Sequence, residues 1–225
     1  MLKRRVDKLS KDYYTTIELK HNDVKEAPRI IAATSWQLYD LSDIDAGTGT
    51  TDDERIGSKV TISSIKANLA FSKLQGSDFI RVIVCQFDDL DGSQVSADTI
   101  HDVLEYGNPA NNTDTNDMDP IMSFYKMGSA IKYKVLYDNV LTPLNRKQIS
   151  VSESTVGINA QRMLQISSSK FRNYQKVLQF LPGQNQVKPE KNGIYMFVYS
   201  TSQRLLEVDG ASKCYVQVRM KYRDA

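Results

Sequence analysis

The sequence predicts an all-β protein, and three observations carry that reading. Apolar and polar residues alternate with a period of two along most of the chain. β-Branched and aromatic residues concentrate in those alternating runs, and only one short segment shows helical spacing instead. With 40% hydrophobic and 25% charged residues, the chain can bury a sizeable core, and 225 residues fit one undivided sandwich or barrel. The longest apolar run, residues 79–87, is interrupted by Arg81 and falls far short of the roughly 18 residues of a membrane span. The charged first residues have no apolar stretch behind them, which is not the pattern of a secretory signal.

Eight strands are expected. YYTTIELK (13–20) is the first, followed by IIAATSWQLYD (30–40) with Thr34, Trp36 and Leu38 on one face, then a turn-rich stretch ending at Gly57. In SKVTISSIKANLAF (58–71), Val60 and Ile62 share a face, after which the apolar positions change phase to Ile65, Ala67, Leu69 and Phe71. A bulge at Ser63-Ser64 produces that change. FIRVIVCQF (79–87) is apolar on both faces and so belongs in the middle of a sheet, as does GIYMFVYST (193–201). IKYKVLYDNVL (131–141) and KFRNYQKVLQFL (170–181) add two more. The last, CYVQVRMKYRD (214–224), points Cys214, Val216, Val218, Met220 and Tyr222 inward, with Gln217, Arg219, Lys221 and Arg223 outward. The one helix, ADTIHDVLEY (97–106), carries Ile100, Val103 and Leu104 at helical spacing behind a Ser96 cap, between two polar turn-forming stretches. Eight strands with long, decorated connections favour a single jelly-roll sandwich, with a short helix in one long loop, over an up-and-down barrel.

Catalytic constellations are missing from the sequence. His21 and His101 are 80 positions apart, and no metalloprotease, P-loop, dinucleotide or nucleophile-elbow motif occurs. Cys85 and Cys214 sit inside apolar strand patterns and read as small buried hydrophobes; spacing alone leaves a disulfide between them open. Carboxylates gather at Asp88, Asp89 and Asp91, and again at Asp114, Asp117 and Asp119. Oxygen-rich loops of this kind suit Ca²⁺, so Asp88, Asp89 and Asp91 are the metal candidates, against the plainer reading of aspartate-stabilised turns. No other cofactor is expected.

Charge is distributed unevenly. Residues 1–12 form a short basic arm, whose first eleven residues hold Lys3, Arg4, Arg5, Lys8 and Lys11 against Asp7 alone, ahead of a body spanning 13–225. Flexible cations on a segment too polar to pack contact phosphates without reading sequence, so these five are the candidate nucleic-acid-binding residues. Tyr13 and Tyr14 could add stacking on unpaired bases, although they also suit the start of a strand. The outward Arg219, Lys221 and Arg223 form a second basic set.

Four segments, taken in order, resemble the capsid proteins of small circular single-stranded-DNA viruses, the circovirus-like group that shares its fold with satellite tobacco necrosis virus coat protein. They are TGTTDDERIGSKVTISSIKANLAF, with Gly47, Thr48, Arg55, Gly57 and Lys59; DFIRVIVCQFDDLDG, with Arg81 inside the strand; HDVLEYGN, a polar spacer and IKYKVLYDNVLTPL; and the closing VQVRMKYRDA. The resemblance runs from Gly47 onward and implies a jelly roll without catalytic activity. It further implies self-assembly into a small icosahedral shell, packaging of single-stranded DNA, no membrane partner, and a virion built inside the host cell, in nucleus or cytoplasm. The family carries a longer arginine-rich arm. Five arm cations in each of about 60 copies, the smallest icosahedral shell (T=1), give on the order of 300 charges. The coding sequence of this chain alone carries about 675 phosphates, so other cations must contribute. The alternatives are a soluble jelly-roll ligand-binding module, carbohydrate-binding or cytokine-like, and a cupin-like enzyme, for which the two separated histidines are too few.

Overall fold

The computed structural model describes residues 19–44, 57–74, 78–107, 118–142, 158–167, 169, 177–181, 188–202 and 211–224. Among the described residues, ten strands run in chain order: β1 (Lys20–Lys25), β2 (Arg29–Ile30), β3 (Gln37–Asp40), β4 (Lys59–Leu74), β5 (Ile80–Phe87), β6 (Tyr133–Leu141), β7 (Ile158–Ser167), β8 (Val177–Gln179), β9 (Gly193–Ser200) and β10 (Lys213–Asp224). A 3₁₀ helix (Ala97–Asp102) and a one-turn helix α1 (Asp119–Met122) lie between β5 and β6.

Every pairing is antiparallel. One sheet has the order β1-β10-β4-β7, with β2 added to β10 and β8 to β4; the other has the order β3-β9-β5-β6. Setting aside the short β2 and β8, the first strand pairs the eighth, the second the seventh, the third the sixth and the fourth the fifth. Nested pairing of this kind is one long hairpin wound into two sheets, the jelly roll expected from the strand count.

The strand patterns explain the layering. Val60, Ile62, Ile65, Ala67, Leu69 and Phe71 of β4 meet Ile80, Val82 and Val84 of β5 and Met196 and Val198 of β9 in the core between the sheets. The expected bulge is present: Lys221 of β10 faces Ser64 while Tyr222 faces Ile62, leaving Ser63 extra. That insertion keeps both phases of the β4 pattern on the core side. β5 and β9 are buried at every position because their second face is also covered. Ile83, Cys85, Phe87, Tyr195, Phe197 and Tyr199 pack beneath the β5–β6 insertion, against Val95, Ile100, Val103, Leu104 and Ile121.

Several expected elements differ. Of the expected strand 13–20, residues 13–18 lie outside the described region; Lys20 opens β1, which runs on through the polar KHNDVK. Its backbone is held by the β10 ladder, which outweighs its weak side-chain pattern. The expected strand 30–40 is cut by a tight turn at Ala33-Thr34, bridged from Ala32 to Ser35, so that Thr34 is exposed while Trp36 is buried. The helix ends at Asp102 and not at Tyr106, because the backbone of 103–105 bonds to 124–126 instead. Ser96 N–H donates to Thr99 Oγ1 at 3.0 Å at its start. β7 was not expected, and of 170–181 only Val177–Gln179 is strand among the described residues.

Candidate nucleic-acid interface

The outward face of the six-stranded sheet follows from the inward one. Because Val60, Ile65, Met220 and Tyr222 point into the core, their neighbours point away from it. The outward positions of these strands carry Lys25, Lys59, Lys66, Lys213, Arg219, Lys221 and Arg223 against one carboxylate, Asp23. Asp23 faces Arg219 across the β1–β10 pair and accepts from its Nε at 2.7 Å. That pairing holds the Asp23 carboxyl below its ordinary value, chiefly through the Arg219 hydrogen bond. The other six cations have no ion pair among the described residues.

A depression of about 800 Å³ crosses the same face, lined by Lys25, Asn68, Arg162, Met163, Tyr215 and Gln217 among others. Tyr215 and Met163 are both exposed within it. The sequence singled out Arg219, Lys221 and Arg223 correctly as an outward basic set. It did not indicate that β1 and β4 would bring Lys25, Lys59 and Lys66 beside them, since that depends on strand order.

The opposite side of the sandwich has the opposite charge. Residues 88–107 and 118–132 of the insertion carry seven carboxylates, Asp88, Asp89, Asp91, Asp98, Asp102, Glu105 and Asp119, against Lys126 and Lys132. This layer is fastened to the sheet by Arg81, buried on β5 but directed outward from the core. Its Nε and Nη2 reach the Asp138 carboxylate at 3.1 and 2.8 Å, and its Nη1 donates to the carbonyls of Pro120 and Ser123, both at 2.9 Å. Trp36 Nε1 donates to the Gly107 carbonyl at 2.7 Å, locking the far end of the insertion. A Cβ on Gly107 would come within 3.0 Å of the Ile100 carbonyl, so only glycine lets the chain pass there without displacement. The insertion presents an apolar surface to solvent: Met122, Phe124 and Met127 are 73, 80 and 96% exposed, with Tyr106 at 59%.

The predicted metal residues are separately engaged. Asp91 Oδ1 accepts from Ser93 N–H at 2.8 Å in a local turn, and Asp89 makes an exposed pair with Lys132 at 3.4 Å. Among the described residues, no group of three or more histidine, cysteine, aspartate or glutamate side chains is placed to hold a metal ion. Asp114 and Asp117 lie outside the described residues, as do Lys3, Arg4, Arg5, Lys8 and Lys11. Cys85 and Cys214 are both free. Burial pushes the Cys214 thiol up to about 12 and the Cys85 thiol higher still, so neither is a nucleophile near neutral pH. His21 lies on the outward side of β1 and His101 in the insertion on the far side, where burial lowers its pKa. Among the described residues, no helix is long and apolar enough to cross a membrane.

No protein-family model matches the chain, and no curated protein matches it. Among solved structures it is similar to that of Cocksfoot mottle virus, with 10% identity over 92% of this chain and 93% of that one, at a TM-score of 0.35. The 60-mer BFDV capsid protein shares 12% identity over 93% and 95%, also at a TM-score of 0.35. Desmodium yellow mottle tymovirus shares 8% over 92% and 87%, at a TM-score of 0.33. Likeness this remote leaves function to be read from the surfaces of the chain itself.

Proposed function

We propose that this chain is the coat protein of a small non-enveloped icosahedral virus, without enzymatic activity. It assembles into a closed shell, about 60 copies in the smallest icosahedral case, and packages the genome, a single-stranded DNA. The observation that carries this reading is the division of charge across the sandwich. A shell protein that encloses a polyanion needs one face for the polyanion and another for solvent and its neighbours. The six-stranded sheet is cationic on its outward side, and the insertion on the other side is acidic. Phosphate neutralisation is independent of sequence, as packaging of a whole genome requires.

In this arrangement the cationic sheet and the arm residues Lys3, Arg4, Arg5, Lys8 and Lys11 face the interior. Copies of the chain meet through the loops, chiefly the insertion with its exposed Met122, Phe124 and Met127. The site of action is the virion, assembled in the nucleus or cytoplasm of the host cell. Electron microscopy of the purified chain with a single-stranded oligonucleotide tests the assignment. Closed particles are expected. A chain that stays monomeric by light scattering at every salt, pH and concentration tried removes it. Replacing the five arm cations with glutamine should lower the packaged nucleic acid and flatten its salt dependence without altering the fold.

A further inference from the structure

We infer that unpaired nucleic acid binds along β10 on the outward face of the six-stranded sheet. A base would stack on Tyr215 in the depression, and phosphates would run past Lys25, Lys66, Lys221 and Arg223. The inference rests on the proposed coat-protein function for the source of the strand, and on the sheet face alone for its chemistry.

The rungs of the sheet order these groups. Tyr215 lies opposite Ala70, and the next outward rung holds Lys25, Gln217, Asn68 and Met163. Beyond it come Asp23, Arg219, Lys66 and Gln165, then His21, Lys221 and Ser64, and last Arg223 beside Thr61. Tyr215 to Arg223 is eight residue steps along one strand, a track about 27 Å long at ~3.4 Å per residue. An exposed aromatic ring with flanking cations at one end, continuing into a row of cations, suits a flexible strand whose bases are free to stack.

Two carboxylates beside this track are already engaged. Asp23 holds Arg219, and Glu26 holds Arg29 at 2.9 Å. The face therefore presents polar donors and cations to an anion with little repulsion. It lacks the apolar ridge that a bilayer surface would require, since its exposed large apolar residues among the described positions, Leu19, Ile30, Met163 and Tyr215, are scattered on different strands.

The test uses the full chain and labelled ten-nucleotide oligothymidine, with a ten-base-pair duplex and phosphatidylserine-containing vesicles for comparison, between 50 and 200 mM salt. Lys66→Gln, Lys221→Gln and Arg223→Gln combined should weaken oligothymidine binding at least tenfold. They should also lower the slope of log affinity against log salt by about 2, at ~0.7 per phosphate contact on a single strand. Lys66→Gln alone, on an exposed position, should lower it by about 0.7 and serves if the triple variant does not fold. Tyr215→Ser should weaken oligothymidine binding about tenfold and leave duplex binding unchanged, with Tyr215→Phe restoring it.

An unchanged slope in the glutamine variants, an equal effect of Tyr215→Ser on duplex, or tighter binding to vesicles than to oligothymidine overturns the inference. Particle formation is read separately. Shells formed by a protein whose oligothymidine binding ignores these substitutions reject the track and leave the coat-protein function standing. A protein that binds through the track but never assembles does the reverse.

Discussion

Arg81 should be the single most consequential charged residue for stability, and Arg81→Met tests why. The guanidinium is 6% exposed and makes four hydrogen bonds, two to Asp138 and one each to the carbonyls of Pro120 and Ser123. Methionine keeps the aliphatic stem against the sheet but leaves both carbonyls and the carboxylate without that partner. Removing one member of a fully buried ion pair costs roughly 3–5 kcal/mol. Asp138 is 26% exposed and also accepts from the Tyr125 hydroxyl, so part of its charge remains solvated and hydrogen-bonded. The expected loss is therefore at the low end, about 3 kcal/mol. In a protein of this size that is a drop of about 6–12 °C in melting temperature. Thermal and urea denaturation of the unassembled protein by circular dichroism would measure it. Limited proteolysis should show the region around α1 cut first, because two of the four lost bonds held it. A change under about 1 kcal/mol, or a full-sized loss with no new cleavage there, refutes the view of Arg81 as the fastener of the insertion.

Three further outcomes follow from the same geometry. Val82→Asp places an unpaired charge in the core between the sheets, where Val82 is fully buried, and should abolish soluble protein; normal expression and melting would reject the layering. Phe124→Ser together with Met127→Ser should leave the melting temperature of the monomer within about 1 °C, since both side chains are exposed, while preventing particle assembly by light scattering. Burial pushes the Asp40 carboxyl up to about 7 from an ordinary 3.8, against the hydrogen bonds from Ser42, so the native state keeps a proton that the unfolded chain releases. Stability should thus fall as pH rises from about 4 to about 7 and level off above, and Asp40→Asn should remove that fall; an identical profile in the variant would count against it.

The sequence was most legible where two rules agreed. β4 showed both a β pattern and a change of phase, and the bulge at Ser63 is its structural form. β5 and β9 were apolar on both faces, and each has core on one side and the insertion on the other. β1 and β7 were missed for a shared reason. Both flank the six-stranded sheet, one face of each is polar, and the face toward the core carries few apolar residues: Lys20 and Asn22 are the buried positions at the start of β1, and Leu164 and Ile166 those of β7. Their strand state comes from the ladder bonds to β10 and β4, which no local pattern encodes. The fastening by Arg81 was invisible for a similar reason. An arginine inside an apolar strand reads as an interruption until Asp138, 57 residues later, is placed on the neighbouring strand.

The winding of the chain also bears on how much charge a shell could bring to a genome. β1 begins at Lys20 opposite Tyr222, so the chain joins the six-stranded sheet at the end that holds Lys221 and Arg223. In sequence, the basic arm precedes β1, the strand that pairs β10 at this cationic end of the face. Five arm cations per copy gave too little charge for even the coding sequence of this chain. Adding the six unpaired cations on the sheet face brings a shell of about 60 copies to on the order of 660, close to about 675 phosphates. The two sets therefore have to act together if a genome of even that length is to be neutralised, and neither the arm nor the sheet suffices alone. Loss of either set should then cut the length of nucleic acid enclosed while leaving the shell closed, because neither set belongs to the insertion through which the copies are proposed to meet.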